Sequence, residues 1–139
     1  MVSFNYELDF SLTNEEKYEQ WIEAIITSEN FLVGDINYIF CTDEYLHEIN
    51  VKYLDHDTLT DVISFDYTDN QLVSGDIFIS IERVQENATE FSVPFETEIL
   101  RVMAHGLLHY CGYKDKGEQE EALMRKKEEE KIKMFHVEQ

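Results

Sequence analysis

The sequence predicts an α+β fold organised as one domain over residues 1–139, and three features lead to it. Short segments alternate apolar and polar residues with period two, as half-buried strands do; segments with apolar residues at helical spacing lie between them; and one segment near the C-terminus is apolar nearly all round, as a buried helix is. A chain of 139 residues with 43% hydrophobic and 13% aromatic content has the size of a single domain and enough apolar material for its core. No internal repeat or low-complexity linker suggests a second unit.

The elements follow in order. Val2, Phe4, Tyr6, Leu8 and Phe10 alternate with polar residues over 2–10 and predict an edge strand. Thr13 to Glu16 resembles a capping box, and Trp21, Ile22, Ile25 and Ile26 then recur at helical spacing, so a helix is expected to about Asn30. Ile36, Tyr38 and Phe40 mark a second strand, after which Thr42 or Asp43 caps a short helix carrying Leu46, Ile49 and Tyr53. Residues 54–60 read as a polar loop. The β-branched and aromatic runs at 61–67 and 75–81 are strands whose short connection favours an antiparallel pair. Val84, Ala88 and Phe91 suggest a helix, and Pro94, the only proline, stands near the start of the next. That helix, to about Cys111, carries Ile99, Leu100, Val102, Met103, Leu107, Leu108 and Tyr110 and is expected to be central and buried. From Glu118 to Phe135 the chain is dense in Glu and Lys, with Leu123, Met124 and Ile132 as sparse anchors, which predicts a solvated terminal helix.

Composition limits the function. No apolar run is long enough to cross a bilayer and no basic-then-apolar leader opens the sequence, so a cytoplasmic protein is expected. Cys41 and Cys111 make no disulfide framework and are expected as free, buried thiols. The 30 acidic residues against 11 basic ones give a formal charge of −19, which argues against tight nonspecific binding to nucleic acid. A divalent cation with a few local Lys and Arg residues can still make one cleft attractive to phosphate on an acidic body.

The chemistry concentrates in residues 105–115. His105 and His109, four apart on the buried helix, project from one face about a turn apart, so that their rings can converge on one cation. Gly112 falls where a glycine ends a helix and turns the chain back, and Asp115 follows three residues later. The pattern His-x-x-x-His-x-x-Gly-x-x-Asp has the spacing of the metzincin metalloproteases with a carboxylate as third ligand. Two imidazoles and one carboxylate leave a fourth tetrahedral position for water, as catalytic zinc sites do. The protease pattern puts a general-base Glu directly after the first histidine, and this chain has Gly106 there.

The segment His105-Gly106-Leu107-Leu108-His109-Tyr110-Cys111-Gly112-Tyr113-Lys114-Asp115 resembles the signature His-Gly-x-Leu-His-Leu-x-Gly-Tyr-Asp-His of the YbeY family of endoribonucleases. Ile49-Asn50 with Tyr53, Thr60-Asp61-Val62-Ile63-Ser64-Phe65, and Gly75-Asp76-Ile77 are similar to further family segments, so the likeness runs over roughly residues 35–135. Three positions depart from it: Asp115 replaces the third histidine, Lys114 replaces an Asp, and Leu54 stands where family members usually carry an arginine thought to serve the RNA-cleaving cleft. The resemblance implies a zincin-like architecture, a mixed and mostly four-stranded sheet with packed helices and a central metal-binding helix. It also implies a single-strand-specific endoribonuclease with one Zn2+ per chain, acting in rRNA maturation at the 3′ end of 16S rRNA and in ribosome quality control. The partners it implies are rRNA and a ribosomal subunit or ribosomal proteins, with no DNA and no membrane. Two alternatives stand beside it: a ribosome-assembly scaffold whose metal is mainly structural, and a protease or amidase of zincin type.

His105, His109 and Asp115 are thus the expected metal ligands. No catalytic group is assigned, and Lys114, Lys116, Arg101 and Asp61 are the candidates. Lys114 and Lys116 flank the third ligand; Arg101, one turn before His105, can reach a phosphate or pair with Glu98 or Glu96; Asp61 and Asp76, at strand starts, can orient ligands or simply hydrogen-bond locally. Ser64 can line a groove, His56 in the polar loop can approach the cleft, and Cys111 is expected to point away from the metal.

Overall fold

The computed structural model describes residues 1–54 and 60–137. Along the chain these form β1 (Val2–Tyr6), α1 (Glu15–Ser28), β2 (Leu32–Cys41), α2 (Asp43–Leu54), β3 (Val62–Asp66), β4 (Leu72–Ser80), α3 (Ile81–Phe91), α4 (Phe95–Tyr110) and α5 (Glu118–Val137). The sheet order is β1-β2-β4-β3, with β1 and β4 parallel to β2 and β3 antiparallel to β4. It is the α+β architecture expected from the sequence, with the antiparallel pair, and the sheet is the mixed four-stranded one that the family resemblance implies.

Strand alternation builds two unequal cores. Ile36, Tyr38 and Phe40 of β2 and Val73, Ile77 and Ile79 of β4 are fully buried against α1 and α4. The side chains between them turn the other way, where Phe78 and Phe65 join Cys41, Ile63 and Leu46 under α2. As its apolar content predicts, α4 is the central helix: Ile99, Leu100, Val102, Met103, Ala104, Leu107 and Leu108 are all buried. It lies so close to β4 that a Cβ on Gly106 would sit 3.0 Å from Ile77 Cδ1.

Several boundaries differ from expectation. β1 stops at Tyr6 rather than residue 10 because its partner among the described residues runs out: Tyr6 pairs with Phe40, one residue before β2 ends. Leu8 and Phe10 still pack on the core from outside the strand. Asn14, not Thr13, caps α1, its side chain accepting a hydrogen bond from the Lys17 N–H at 3.3 Å. β4 starts at Leu72 and stops at Ser80, because the Ser80 hydroxyl accepts from the Arg83 N–H at 3.1 Å and opens α3 there. Pro94 lies outside α4 as its N-cap, and Phe91 is exposed rather than part of a core-facing stripe. Thr42 caps α2, its hydroxyl accepting from the Tyr45 N–H at 3.1 Å. Leu54 ends α2, and residues 55–59 of the expected polar loop, His56 among them, lie outside the described residues. Both cysteines are free, Cys41 buried and Cys111 partly so.

The largest correction concerns α5, which is not a merely solvated helix. Met124, Glu128, Lys131 and Phe135 are buried at successive spacings of four, three and four, a stripe on one face that docks on α4 and α1. Leu123, expected as an anchor, is exposed instead. The charges of this face were read as solvated because Glu and Lys usually are; here each is buried with partners. Lys131 Nζ lies 2.8 Å from Glu29 Oε2 and 2.9 Å from Ser28 Oγ, tying α5 to the end of α1. Tyr113 donates to the other Glu29 oxygen at 2.8 Å.

Burial alone would raise the Glu29 pKa, but the hydrogen bonds from Lys131 and Tyr113 and the charges of Lys131 and Lys127 outweigh it, and the net shift is downward from 4.5. A carboxyl depressed on folding contributes stability that is complete above about pH 4.5 and is lost as pH falls through its lower folded value. Glu29→Gln is therefore expected to destabilise the protein by about 3 kcal/mol at neutral pH, the low end for breaking a buried pair because Glu130 still reaches Lys131. It is also expected to flatten the acid limb of stability measured by urea denaturation at several pH values; an unchanged acid limb would contradict this role.

Candidate metal centre

Residues 105–115 form the turn that closes α4. The Gly112 N–H bonds to the His109 carbonyl at 3.0 Å and the Tyr113 N–H to the Leu108 carbonyl at 3.0 Å, ending the helix. Gly112 has φ of +101°, with nothing near the position of a Cβ, so the turn requires glycine for its backbone conformation and not for space. The reversal brings Asp115 back over the last two turns of α4. There Asp115 Oδ2 lies 3.3 Å from His105 Nε2 and 3.4 Å from His109 Nε2, and the two Nε2 atoms are 3.0 Å apart.

The partners of the outer ring nitrogens fix which inner atoms carry protons. His109 Nδ1 is 3.0 Å from the Tyr113 carbonyl, which can only accept, so this nitrogen donates. His105 Nδ1 is 2.6 Å from the Glu128 carboxylate beside Arg101, and donates in the same way. In neutral imidazoles both Nε2 atoms then present lone pairs to each other and to a carboxylate oxygen. Three acceptors meeting with no donor between them repel unless a cation sits among them. A tetrahedral divalent ion such as zinc, with bonds of about 2.0–2.1 Å, holds its ligand atoms about 3.3 Å apart. The three observed separations fit that spacing, and His105, His109 and Asp115 form a candidate metal-ligand group.

An open cleft of about 200 Å3 lies against this group, lined by Arg101, His105, Asp115, Glu121, Met124, Arg125 and Glu128. Asp115 is 40% exposed at its side chain, so the group opens to solvent on the cleft side, as a site with a fourth position for water must. Arg101 also lines it but is committed. Its guanidinium pairs closely with buried Glu98, and lies 3.6 Å from Glu128 and 3.7 Å from Asp61. Burial works to lower the Arg101 pKa, but these carboxylates outweigh it and leave it above the ordinary value.

The structure thus brings together all three expected ligands and Arg101. It places Asp61 beside Arg101 and Asn87, within 3.3 Å of the Asn87 amide, rather than at the ligands. Lys114 and Lys116 are exposed and are not among the residues that line the cleft. Asp76 accepts from Asn37 at 2.9 Å within the sheet. Tyr110, beside Ser64, donates a shared hydrogen bond to the carbonyls of Phe65 and Asp76 at 3.0 and 3.2 Å, anchoring the end of α4 to β3 and β4. Cys111 packs at the margin of the larger core, where burial pushes its thiol up to about 11.

The Endoribonuclease YbeY family model matches residues 4–136. This chain belongs to the YbeY endoribonuclease family. Endoribonuclease YbeY of Flavobacterium johnsoniae is 63% identical over 139 residues, covering all of both chains, and that of Bacteroides fragilis is 44% identical over 115 residues, covering 83% of each. The solution structure of TM1509 from Thermotoga maritima superposes with a TM-score of 0.72 at 30% identity, over 99% of this chain and 91% of that one.

Two residues that line the cleft escaped the sequence reading. Glu128, 23 residues beyond His105, was hidden in the charged helix. Its signal is the Met124-Glu128-Lys131-Phe135 stripe, which places a carboxylate on an otherwise core-facing line. Arg125 was overlooked in the same run of charges.

Because Glu128 orients His105 and sets its tautomer, Glu128→Gln is expected to weaken divalent-metal binding by about 10- to 100-fold, measured by competition with a chromogenic chelator. Unchanged affinity in a folded variant would contradict that role.

Proposed function

We propose that this protein is a zinc-dependent endoribonuclease that cleaves single-stranded RNA in rRNA maturation, with one zinc ion held by His105, His109 and Asp115. The observation that carries the reading is the convergence of three lone-pair atoms at tetrahedral spacing beside an open cleft. Membership of an endoribonuclease family supports RNA as the substrate.

When bound, zinc lowers the pKa of a coordinated water toward neutrality and polarises a phosphoryl oxygen. The protein's own residues supply the rest. Glu128 and the Tyr113 carbonyl hold both imidazoles with Nε2 toward the cation, so that no rearrangement is needed when substrate arrives. Asp115 adds one negative charge, and the cleft-facing side of the group remains open to a phosphodiester. Arg101, held by three carboxylates, fixes Glu128 and is a positioning residue rather than a phosphate ligand.

A peptidase reading is disfavoured by the packing of α4. A Cβ on the residue after His105 would lie 3.0 Å from Ile77 Cδ1, closer than ordinary van der Waals contact, so a general-base Glu there would be driven into the sheet. The assembly-scaffold reading calls for a closed structural metal, whereas this ligand group opens on a cleft. We further infer one functional domain over residues 1–139 that works in the cytoplasm on 16S rRNA near its 3′ end, with a ribosomal subunit or ribosomal proteins as partners and a part in ribosome quality control; the family assignment supports this setting.

The test combines elemental analysis with cleavage of a single-stranded rRNA fragment before and after chelation. About one zinc per chain is expected, with Asp115→Ala losing metal and His109→Ala losing both metal and at least about 100-fold of the cleavage rate. Cleavage that survives chelation would overturn the metal-dependent mechanism, and metal without cleavage would return the scaffold reading.

A further inference from the structure

The charge of −19 poses a question that the ligand group does not answer: which group draws an RNA phosphate into the cleft? Glu121, Met124, Arg125 and Glu128 stand at i, i+3, i+4 and i+7 on α5 and make one wall of it. Two guanidinium groups line this cleft, and they differ in what surrounds them. Arg101 is held by Glu98, Glu128 and Asp61, so that its charge is cancelled where it sits. Arg125 is exposed, and among the described residues it makes no ion pair, not even with Glu121 one turn away. Lys114 and Lys116, nearer in sequence to the ligands, are absent from the cleft lining.

We infer that Arg125 is the phosphate-binding cation of this cleft, its guanidinium donating to non-bridging oxygens of an RNA phosphodiester seated against His105 and Asp115. This rests on the endoribonuclease reading and adds the residue that recognises substrate. A guanidinium suits the role because its planar fork donates two hydrogen bonds to one phosphate and stays charged at any physiological pH. The rigid anchor is present as well: Met124 and Glu128, flanking Arg125, are buried and fix the orientation of this stretch of α5. The committed Arg101 positions the metal group while the uncommitted Arg125 meets the substrate, so the two arginines divide the work.

The test compares zinc-loaded wild type with Arg125→Ala, Arg125→Lys and Lys126→Ala, the last removing the same charge from an exposed neighbour that does not line the cleft. Binding of a fluorescein-labelled single-stranded 2′-O-methyl RNA oligonucleotide is followed by anisotropy against salt, and cleavage of the unmodified oligonucleotide gives kcat and KM. Arg125→Ala is expected to weaken binding about tenfold and to reduce the slope of log affinity against log salt by about 0.7, the value for one phosphate contact on a single strand. Arg125→Lys is expected to keep the salt slope and recover only part of the affinity, and Lys126→Ala to change affinity less than about twofold. Zinc content and thermal midpoint are expected to match wild type in all three. Equal losses in Arg125→Ala and Lys126→Ala, or wild-type behaviour in Arg125→Ala, would overturn the inference while leaving the nuclease intact. A wild-type protein that neither binds nor cleaves the RNA would overturn both.

Discussion

Two imidazole nitrogens and a carboxylate oxygen held within 3.4 Å of one another, all presenting lone pairs, form the constraint on which the remaining architecture depends. Such a convergence is unfavourable without a cation among its members, and both imidazoles are fixed from behind. The larger core fixes α4, which makes it a rigid rod; Tyr110 pins its end to β3 and β4; Gly112 reverses the chain; and Tyr113 returns a carbonyl to His109. Packing in the core thereby gives precision at the surface, since it holds the last two turns of α4 in place.

The charged residues behind the group form two linked anchors. One runs from His105 through Glu128 to Arg101 and on to Glu98 and Asp61, joining α4, α5 and the start of β3. The other runs from His109 through Tyr113 to Glu29 and Lys131, joining the metal turn to α1 and α5. In both, α5 supplies a buried charge, Glu128 in the first and Lys131 in the second. A helix that looks like a solvated appendage therefore holds the outer nitrogen of His105 and braces the turn that carries the partner of His109.

This explains what the sequence made legible and what it did not. The strands and α4 were readable because their signals are local: alternation in β2 and β4, and an apolar surface all round α4. The candidate ligand group was readable because a helix and a glycine turn impose a fixed spacing on His105, His109, Gly112 and Asp115. Strand limits were less legible, since β1 ends where β2 stops offering a partner, a fact about another segment. Glu128 and Arg125 were illegible because burial of a Glu and freedom of an Arg depend on what lies across the cleft, and composition makes both look like solvated charge. The weak apolar line of Met124 and Phe135 was the only trace, diluted by the exposed charges between them.

The account stands or falls on what occupies the space among the three acceptors. X-ray absorption on the zinc-loaded protein reads that environment directly. The account predicts two imidazoles and two oxygen ligands at about 2.0 Å, one from Asp115 and one from water, with no sulfur scatterer. A sulfur shell at about 2.3 Å, or the absence of imidazole scattering, would show that the metal is bound elsewhere and contradict the account.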